Sequence, residues 1–167
     1  MLIYGAGTMG LMMLELAKRT GAAGVDVVDV NADRLAAARS LGCTRAATGA
    51  DEFDEPLGWS LVIDATGNQR AIQDAIGRVA PAGTFLQFGV ADYDARVMIE
   101  PYRIYNKEIT ITGSMAVLHS YERAAELFAA GVLDPRVFIT DRLPLDEYGA
   151  ALDRFRAGRG LKTQVIP

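Results

Sequence analysis

Short apolar runs alternate along this chain with segments of helical periodicity. The apolar runs are rich in β-branched residues and predict strands at 2–5, 25–30, 44–47, 61–65, 84–89 and 109–113. Helical spacing is found between them at 8–20, 32–41 and 69–79. Beyond the sixth strand, the pattern predicts helices at 121–130 and 145–156 and a last strand at 163–166. Strands that alternate with helices predict an α/β fold, a parallel sheet of six strands with helices on both faces.

The composition is that of a globular domain. The chain has 167 residues, 50% of them hydrophobic, which is long enough to bury a full core without disulfides. Its net charge of −4 argues against nucleic acid or an anionic membrane as a partner. No apolar run approaches the ~20 residues of a membrane span, nothing resembles a secretory leader, and Cys43 is the single cysteine. We therefore expect a cytoplasmic protein.

A glycine-rich motif directly follows the first predicted strand and opens the first predicted helix. It has the pattern G-x-G-x-x-G and reads Gly5-Ala6-Gly7-Thr8-Met9-Gly10. In this context Gly5 permits a tight turn, Gly7 lets the backbone approach a pyrophosphate, and Gly10 lets the helix pack against the strand. The helix dipole adds positive potential where the phosphates would lie. The motif predicts a dinucleotide site in a Rossmann doubly wound sheet.

An acidic residue follows at the spacing that this kind of site requires. Asp29 lies 19 residues after Gly10, at the end of the second predicted strand, where a carboxylate can bind the adenosine ribose hydroxyls. The same charge would repel a 2′-phosphate, so we expect NAD rather than NADP. The alternative is an ordinary βα turn in which Asp29 is a solvated acid. Arg34, three residues after the predicted helix cap Asn31, either flanks the adenine or faces water.

Four further segments, taken with the glycine motif, point to a known family. They read Val28-Asp29-Val30-Asn31-Ala32-Asp33-Arg34-Leu35, Asp64-Ala65-Thr66-Gly67-Asn68, Phe88-Gly89-Val90 and Ile111-Thr112-Gly113-Ser114. In this order they resemble the medium-chain, zinc-dependent alcohol dehydrogenases, and among these the polyol and threonine dehydrogenases. The resemblance covers the whole chain but only the family's coenzyme-binding domain and the segment after it. Together with a buried strand that begins at residue 2, it predicts that the chain is a piece of a larger protein.

The resemblance implies a role for individual residues in binding NAD. Gly7, Thr8 and Met9 would face the pyrophosphate, between Gly5 and Gly10 of the motif. Asp29 and Arg34 would hold the adenosine end. The coenzyme cleft would be lined by Ala65, Thr66 and Gly67. Backbone groups near the nicotinamide carboxamide would come from Phe88, Gly89, Val90, Gly113, Ser114 and Met115.

The family's zinc chemistry requires residues that this chain does not supply. A catalytic zinc polarises the alcohol oxygen and is bound by Cys, His and a third Cys or Glu, whereas this chain has one Cys and one His. We expect Cys43 to be a small hydrophobic residue and His119 to lie in a loop. The resemblance places the zinc and the alcohol or polyol substrate in a preceding domain. We therefore expect no metal site, no catalytic residue and no alcohol oxidation in this chain alone.

Two other interpretations are left open by the residues. One is a stand-alone module that binds or senses NAD without catalysis. The other is a domain of a hydroxyacyl-CoA or hydroxy-acid dehydrogenase, whose first turn can also read Gly-Ala-Gly-Thr-Met-Gly. Such an enzyme uses a later histidine as its acid and base, and His119 is the single candidate.

The predicted domains are an NAD-binding domain at 1–137 and a C-terminal segment at 138–167. In the family this segment packs with the catalytic domain, so we expect the apolar stripe of Leu145, Tyr148, Leu152 and Phe155 to be covered by another copy of the chain or to stay mobile and exposed. The strand at 109–113 is last in the sheet order 3-2-1-4-5-6 and leaves an edge that recruits other strands. We expect a homodimer through this edge. The alternative is a monomer in which the loop at 91–105 hides it.

Overall fold

The computed structural model describes residues 1–115 and 120–167. By its internal contacts the chain divides into two compact units, Met1–Ala116 and Val117–Pro167. The predicted loop residue His119 lies outside the described residues, so its expected position is not tested.

The first unit alternates strands and helices. Its strands are β1 (Leu2–Tyr4), β2 (Asp26–Val28), β3 (Arg45–Ala47), β4 (Trp59–Asp64), β5 (Val79–Gln87) and β6 (Thr110–Gly113). Its helices are α1 (Thr8–Arg19), α2 (Ala32–Ser40), α3 (Gln69–Gly77) and α4 (Pro101–Lys107), with a 3-10 turn at Ala50–Glu52. Across the described residues of the whole chain, no helix is both long and apolar enough to cross a membrane.

The six strands that the structure describes in this unit form one sheet in the order β3-β2-β1-β4-β5-β6. Every neighbouring pair is parallel, and Tyr4 lies opposite both Val28 and Asp64. The chain moves outward from β1 in one direction, then returns and moves outward in the other, which is the doubly wound topology. The predicted fold class and strand order are confirmed.

Helices cover both faces of the sheet because successive side chains of a strand point to opposite sides. Leu2 and Tyr4 share a buried cluster with Ile72 and Ile76 of α3. Ile3, between them, is also fully buried and lies on the α1 side, next to Gly10. A strand buried on both faces has no polar alternation, which is why β1 is a continuous apolar run in the sequence.

Two features of this unit differ from the prediction. Strand β5 begins at Val79, five residues before the predicted strand at 84–89, and includes Pro81-Ala82-Gly83, where the pairing skips from Val79 to Thr84 and Ala82 has a φ of 56°. Helix α4 occupies part of the predicted loop at 91–105. It was missed because only seven residues form it, and they bury none of their side chains fully, so they show no helical stripe of apolar residues.

The second unit has a small sheet of its own. It contains α5 (Tyr121–Ala129), α6 (Pro135–Phe138), β7 (Ile139–Pro144), α7 (Tyr148–Arg156) and β8 (Lys162–Ile166), with a 3-10 turn at Leu145–Glu147. Strands β7 and β8 pair in parallel. The strand β7 was not predicted, because its alternating half-buried and exposed residues include Pro144 and two charges.

The unit boundary and the predicted domain boundary fall at different places. The second unit starts at 117, whereas the domain boundary was predicted at 137/138, because helices α5 and α6 cluster with the small sheet. The packing of 138–167 against a catalytic domain stays a prediction. Within the predicted stripe Leu145, Tyr148 and Phe155 are 63%, 53% and 75% exposed.

Candidate coenzyme site

The predicted site residues follow the carboxyl ends of five strands. Because the strands are parallel, these ends meet at one edge of the sheet. The ladder of backbone hydrogen bonds continues one residue past several strands, with Gly5 N donating to Val28 O at 2.7 Å and Ala65 N to Tyr4 O at 2.8 Å. Ser114 N likewise donates to Gln87 O at 3.1 Å. The first residue of each loop is therefore held in register with its neighbour.

The glycine-rich loop has the backbone geometry that its three glycines allow. Gly5 has a φ of 100°, a conformation that residues with a Cβ rarely adopt. A Cβ on Gly10 would overlap the Gly5 carbonyl oxygen, so the start of α1 can lie this close to the turn only without a side chain. A Cβ on Gly7 would meet no heavy atom within 4 Å. Gly7 therefore faces open space at the N-terminus of α1, where no side chain caps the helix.

Asp29 follows β2 and is 8% exposed. Its Oδ2 accepts a hydrogen bond from Ala6 N at 2.7 Å, and its Oδ1 accepts one from Asn31 N at 2.8 Å. The carboxylate therefore joins the glycine-rich loop to the start of α2. Asn31 caps that helix as predicted, accepting from Asp33 N at 2.9 Å and Arg34 N at 3.1 Å.

Arg34 lies beside this carboxylate. Its Nη1 is 4.0 Å from Asp29 Oδ2, and the side chain is 35% exposed. The Nε of Arg34 is buried and has no hydrogen-bond partner within the described part of the chain. A buried donor without a partner costs free energy.

The loops after β4 and β5 are held by a residue that the sequence analysis did not include among the site residues. Asp64, the last residue of β4, is fully buried. Its Oδ1 accepts from Thr66 N at 3.0 Å and from Thr66 Oγ1 at 2.5 Å. Its Oδ2 accepts from Gly67 N at 2.9 Å and from Gln87 Nε2 at 2.7 Å. The sequence did contain a signal for this role, because Asp64 is a charged residue directly after the apolar run 61–63.

A cleft of about 420 Å³ opens beside these loops. It is lined by Thr66, Gly67, Asn68, Gln69, Asp92, Asp94 and Ala95. Asn68 accepts hydrogen bonds from Arg70 N and Ala71 N and so caps α3. Two of the residues that the resemblance placed in the coenzyme cleft therefore line a cavity.

The structure brings most of the predicted site residues into contact, but not all. A Cβ on Gly5 would lie 2.9 Å from the Thr66 methyl group, so the glycine-rich loop touches the loop after β4. Val90 and Met115 are 94% and 86% exposed, and Gly113 and Ser114 are exposed as well. Gly113 and Ser114 lie beside Gln87 at the end of β5, where Ser114 N donates to Gln87 O at 3.1 Å, whereas Val90 approaches Gly67 through its carbonyl oxygen.

Zinc does not fit the residues that the structure describes. Three protein ligands are needed even for an open catalytic site. Over residues 1–115 and 120–167, no three His, Cys, Asp or Glu side chains come together in a way that could hold a metal ion. Cys43 is half-buried, in the segment before β3, and burial raises the pKa of its thiol, which disfavours the thiolate that binds zinc. No step of the chemistry is assigned to a metal in these residues.

This fold is the doubly wound fold of dinucleotide-binding domains. The chain belongs to the zinc-binding dehydrogenase family, whose model matches residues 8–130. The resemblance to the medium-chain, zinc-dependent alcohol dehydrogenases is thereby confirmed, and the match favours this family over the hydroxyacyl-CoA and hydroxy-acid dehydrogenases.

Individual relatives agree with the family match. D-arabinitol dehydrogenase 1 of Uromyces fabae is 32% identical, over 99% of this chain and 51% of its own length. D-altritol 5-dehydrogenase of Agrobacterium fabrum is 34% identical, over 87% of this chain and 44% of its own length. Among solved structures, a zinc-binding dehydrogenase of Sinorhizobium meliloti bound to NADP superposes with a TM-score of 0.88 at 28% identity, over 99% of this chain and 52% of that one. The chain spans about half the length of the curated relatives it matches.

Proposed function

We propose that this chain is the coenzyme-binding domain of a zinc-dependent alcohol or polyol dehydrogenase, which transfers hydride between an alcohol and NAD. The family match supports the class of enzyme, and the names of the relatives support a polyol as the substrate. The catalytic zinc and the alcohol site belong, in this proposal, to a domain outside these residues. The chain's length relative to its relatives is consistent with that division.

The observation that carries the proposal is the geometry of the loops after β1 and β2, which would accommodate a dinucleotide. Open space above Gly7 at the start of α1 suits a pyrophosphate, which the helix dipole and the first-turn amides would stabilise. Asp29 lies next to this loop and would accept hydrogen bonds from the ribose hydroxyls. Arg34, whose partly exposed side chain lies beside Asp29, would contact the adenosine end.

We further propose that the coenzyme is NAD(H) rather than NADP(H). One solved relative is bound to NADP, so family membership does not decide this choice. The support comes from Asp29, whose carboxylate would lie next to a 2′-phosphate and repel it. In the same proposal, backbone groups of Phe88–Val90 and Gly113–Met115 receive the nicotinamide carboxamide.

Gly7→Ala tests the proposal, because the free chain has room for the new methyl group and the coenzyme complex does not. Gly7 has a φ of −72°, which alanine adopts freely, and its Cβ would meet no heavy atom of the chain within 4 Å. We expect the thermal midpoint to stay within about 2 °C and the Kd for NADH, measured by titration calorimetry, to rise at least about tenfold.

Gly77→Ala is the matched control, since a Cβ there also meets nothing within 4 Å but lies at the end of α3. It should leave the Kd unchanged. Equal NADH affinity in the parent and in Gly7→Ala would contradict the site, and absence of NADH binding by the parent chain would contradict the proposed function.

We also propose a homodimer through the edge strand β6. All four residues of β6 are exposed, and Tyr102 and Tyr105 of the neighbouring α4 are 75% and 81% exposed. The loop that was expected to hide this edge in a monomer is tied elsewhere, since Gln73 of α3 donates to Met98 O at 2.6 Å and accepts from Met98 N at 2.5 Å. An uncovered strand with β-branched residues favours pairing with a second copy across a two-fold axis.

A further inference from the structure

Asp64 and Gln87 together fix the position of the loop that follows β5. The main-chain oxygen of Asp64 accepts from Phe88 N at 3.0 Å and from Gly89 N at 2.7 Å. The side chain of Gln87 donates to Asp64 Oδ2 and to Gly89 O, both at 2.7 Å. Both polar backbone groups of Gly89 are therefore held by these two residues.

The loops after β4 and β5 lie in direct contact around this carboxylate. A Cβ on Gly89 would lie 2.6 Å from Asp64 Oδ2 and 2.8 Å from Thr66 N. A Cβ on Gly67 would overlap the carbonyl oxygen of Val90. Two glycines permit the close approach, and the buried carboxylate supplies acceptors for the donors that converge there, so the relative position of the two loops is fixed from both sides.

We propose that Asp64 and Gln87 are positioning residues for the nicotinamide half of the coenzyme. They act through the backbone of Phe88–Val90, which they place at a set distance from the Thr66–Gly67 turn. The adenosine half depends on other groups, those of the glycine-rich loop and Asp29. This inference rests on the proposed coenzyme-binding function, and it adds two residues that neither the motif nor the resemblance assigned to the site.

The chain offers a matched control in a second buried carboxylate. Asp26, the first residue of β2, is 4% exposed and also accepts several donors, from the side chains of Arg45 and Trp59. It lies at the amino end of its strand, whereas the site lies at the carboxyl ends. Loss of a buried carboxylate at Asp26 should therefore destabilise the fold without changing how the coenzyme binds.

The test compares two ligands that share the adenosine and pyrophosphate groups, NADH and ADP-ribose. Asp64→Asn keeps the shape of the side chain but places an amide NH₂ against donors. Gln87→Met keeps the length and removes the donor. In the 167-residue chain we expect each variant to raise the Kd for NADH about tenfold and that for ADP-ribose less than about threefold. Asp26→Asn should leave both values within about twofold for the folded protein.

Circular dichroism confirms that each variant is folded before its titration. If Asp64→Asn does not fold, Gln87→Met, at a half-buried position, still tests the inference. Unchanged NADH affinity in folded Asp64→Asn and Gln87→Met, or an equal loss of affinity for NADH and ADP-ribose, would overturn the inference. Failure of the parent chain to bind ADP-ribose at all would instead overturn the proposed coenzyme site, and with it this inference.

Discussion

Replacing Asp29 by Asn removes one negative charge from the adenosine end of the proposed site and leaves the size of the side chain unchanged. The carboxylate accepts from Ala6 N at 2.7 Å and from Asn31 N at 2.8 Å. An amide retains one of these acceptors and places its NH₂ against the other donor. That loss should cost the fold about 1–3 kcal/mol. The lost hydrogen bond affects the NADH and NADPH complexes equally. The ratio of the two Kd values therefore reports the effect of the charge alone.

The size of that effect follows from Coulomb's law. At a separation of ~6 Å and an effective dielectric constant of ~20, a carboxylate and one unit of phosphate charge repel by about 3 kcal/mol. Arg34, with its Nη1 4.0 Å from Asp29 Oδ2, offsets part of this repulsion. We therefore expect a net change of about 1.4 to 2.8 kcal/mol, which is about tenfold to a hundredfold in the ratio of the two Kd values.

Titration calorimetry with NADH and NADPH measures that ratio in the parent and in Asp29→Asn. The ratio should shift toward NADPH in the variant. Asp33→Asn is the matched control, because it removes the same charge from an exposed position in the first turn of α2, and it should move the ratio less than about threefold. An unchanged ratio in Asp29→Asn, or an equal shift in Asp33→Asn, would refute the role given to Asp29.

Two further predictions concern stability and assembly. Burial raises the pKa of Asp26, but the hydrogen bonds from Arg45 and Trp59 outweigh it and hold the pKa below its usual 3.8. Asp26→Asn should therefore lower the free energy of unfolding by about 1–3 kcal/mol at pH 7, and urea titrations should show this difference shrinking, not growing, as the pH falls below about 4 through the folded-state pKa. Ile111→Lys, in the exposed edge strand β6, should convert the proposed dimer into a monomer in light scattering, whereas a monomeric parent or an unaffected dimer would contradict pairing through that edge.

The strand order could be predicted because it depends on local patterns and one chirality rule. Short apolar runs such as 61–63 indicate strands buried on both faces, and right-handed crossovers leave few arrangements for them. The cap at Asn31 and the turn at Gly5 were predicted for the same reason, since each depends on a few consecutive residues. Helix α4 and strand β7 were missed because short elements with little fully buried surface have no such pattern.

For the site, the sequence by itself determined the groups whose chemistry is read from spacing, namely the glycine-rich loop and the acid at Asp29. Only the tertiary structure decided which groups hold the other loops in place. Asp64 and Gln87 are 23 residues apart and meet because β4 and β5 are neighbours, and Gly67 and Gly89 are needed only where their two loops touch. Contacts of this kind depend on the register between neighbouring strands. The hydrophobic periodicity along a single strand does not reveal that register.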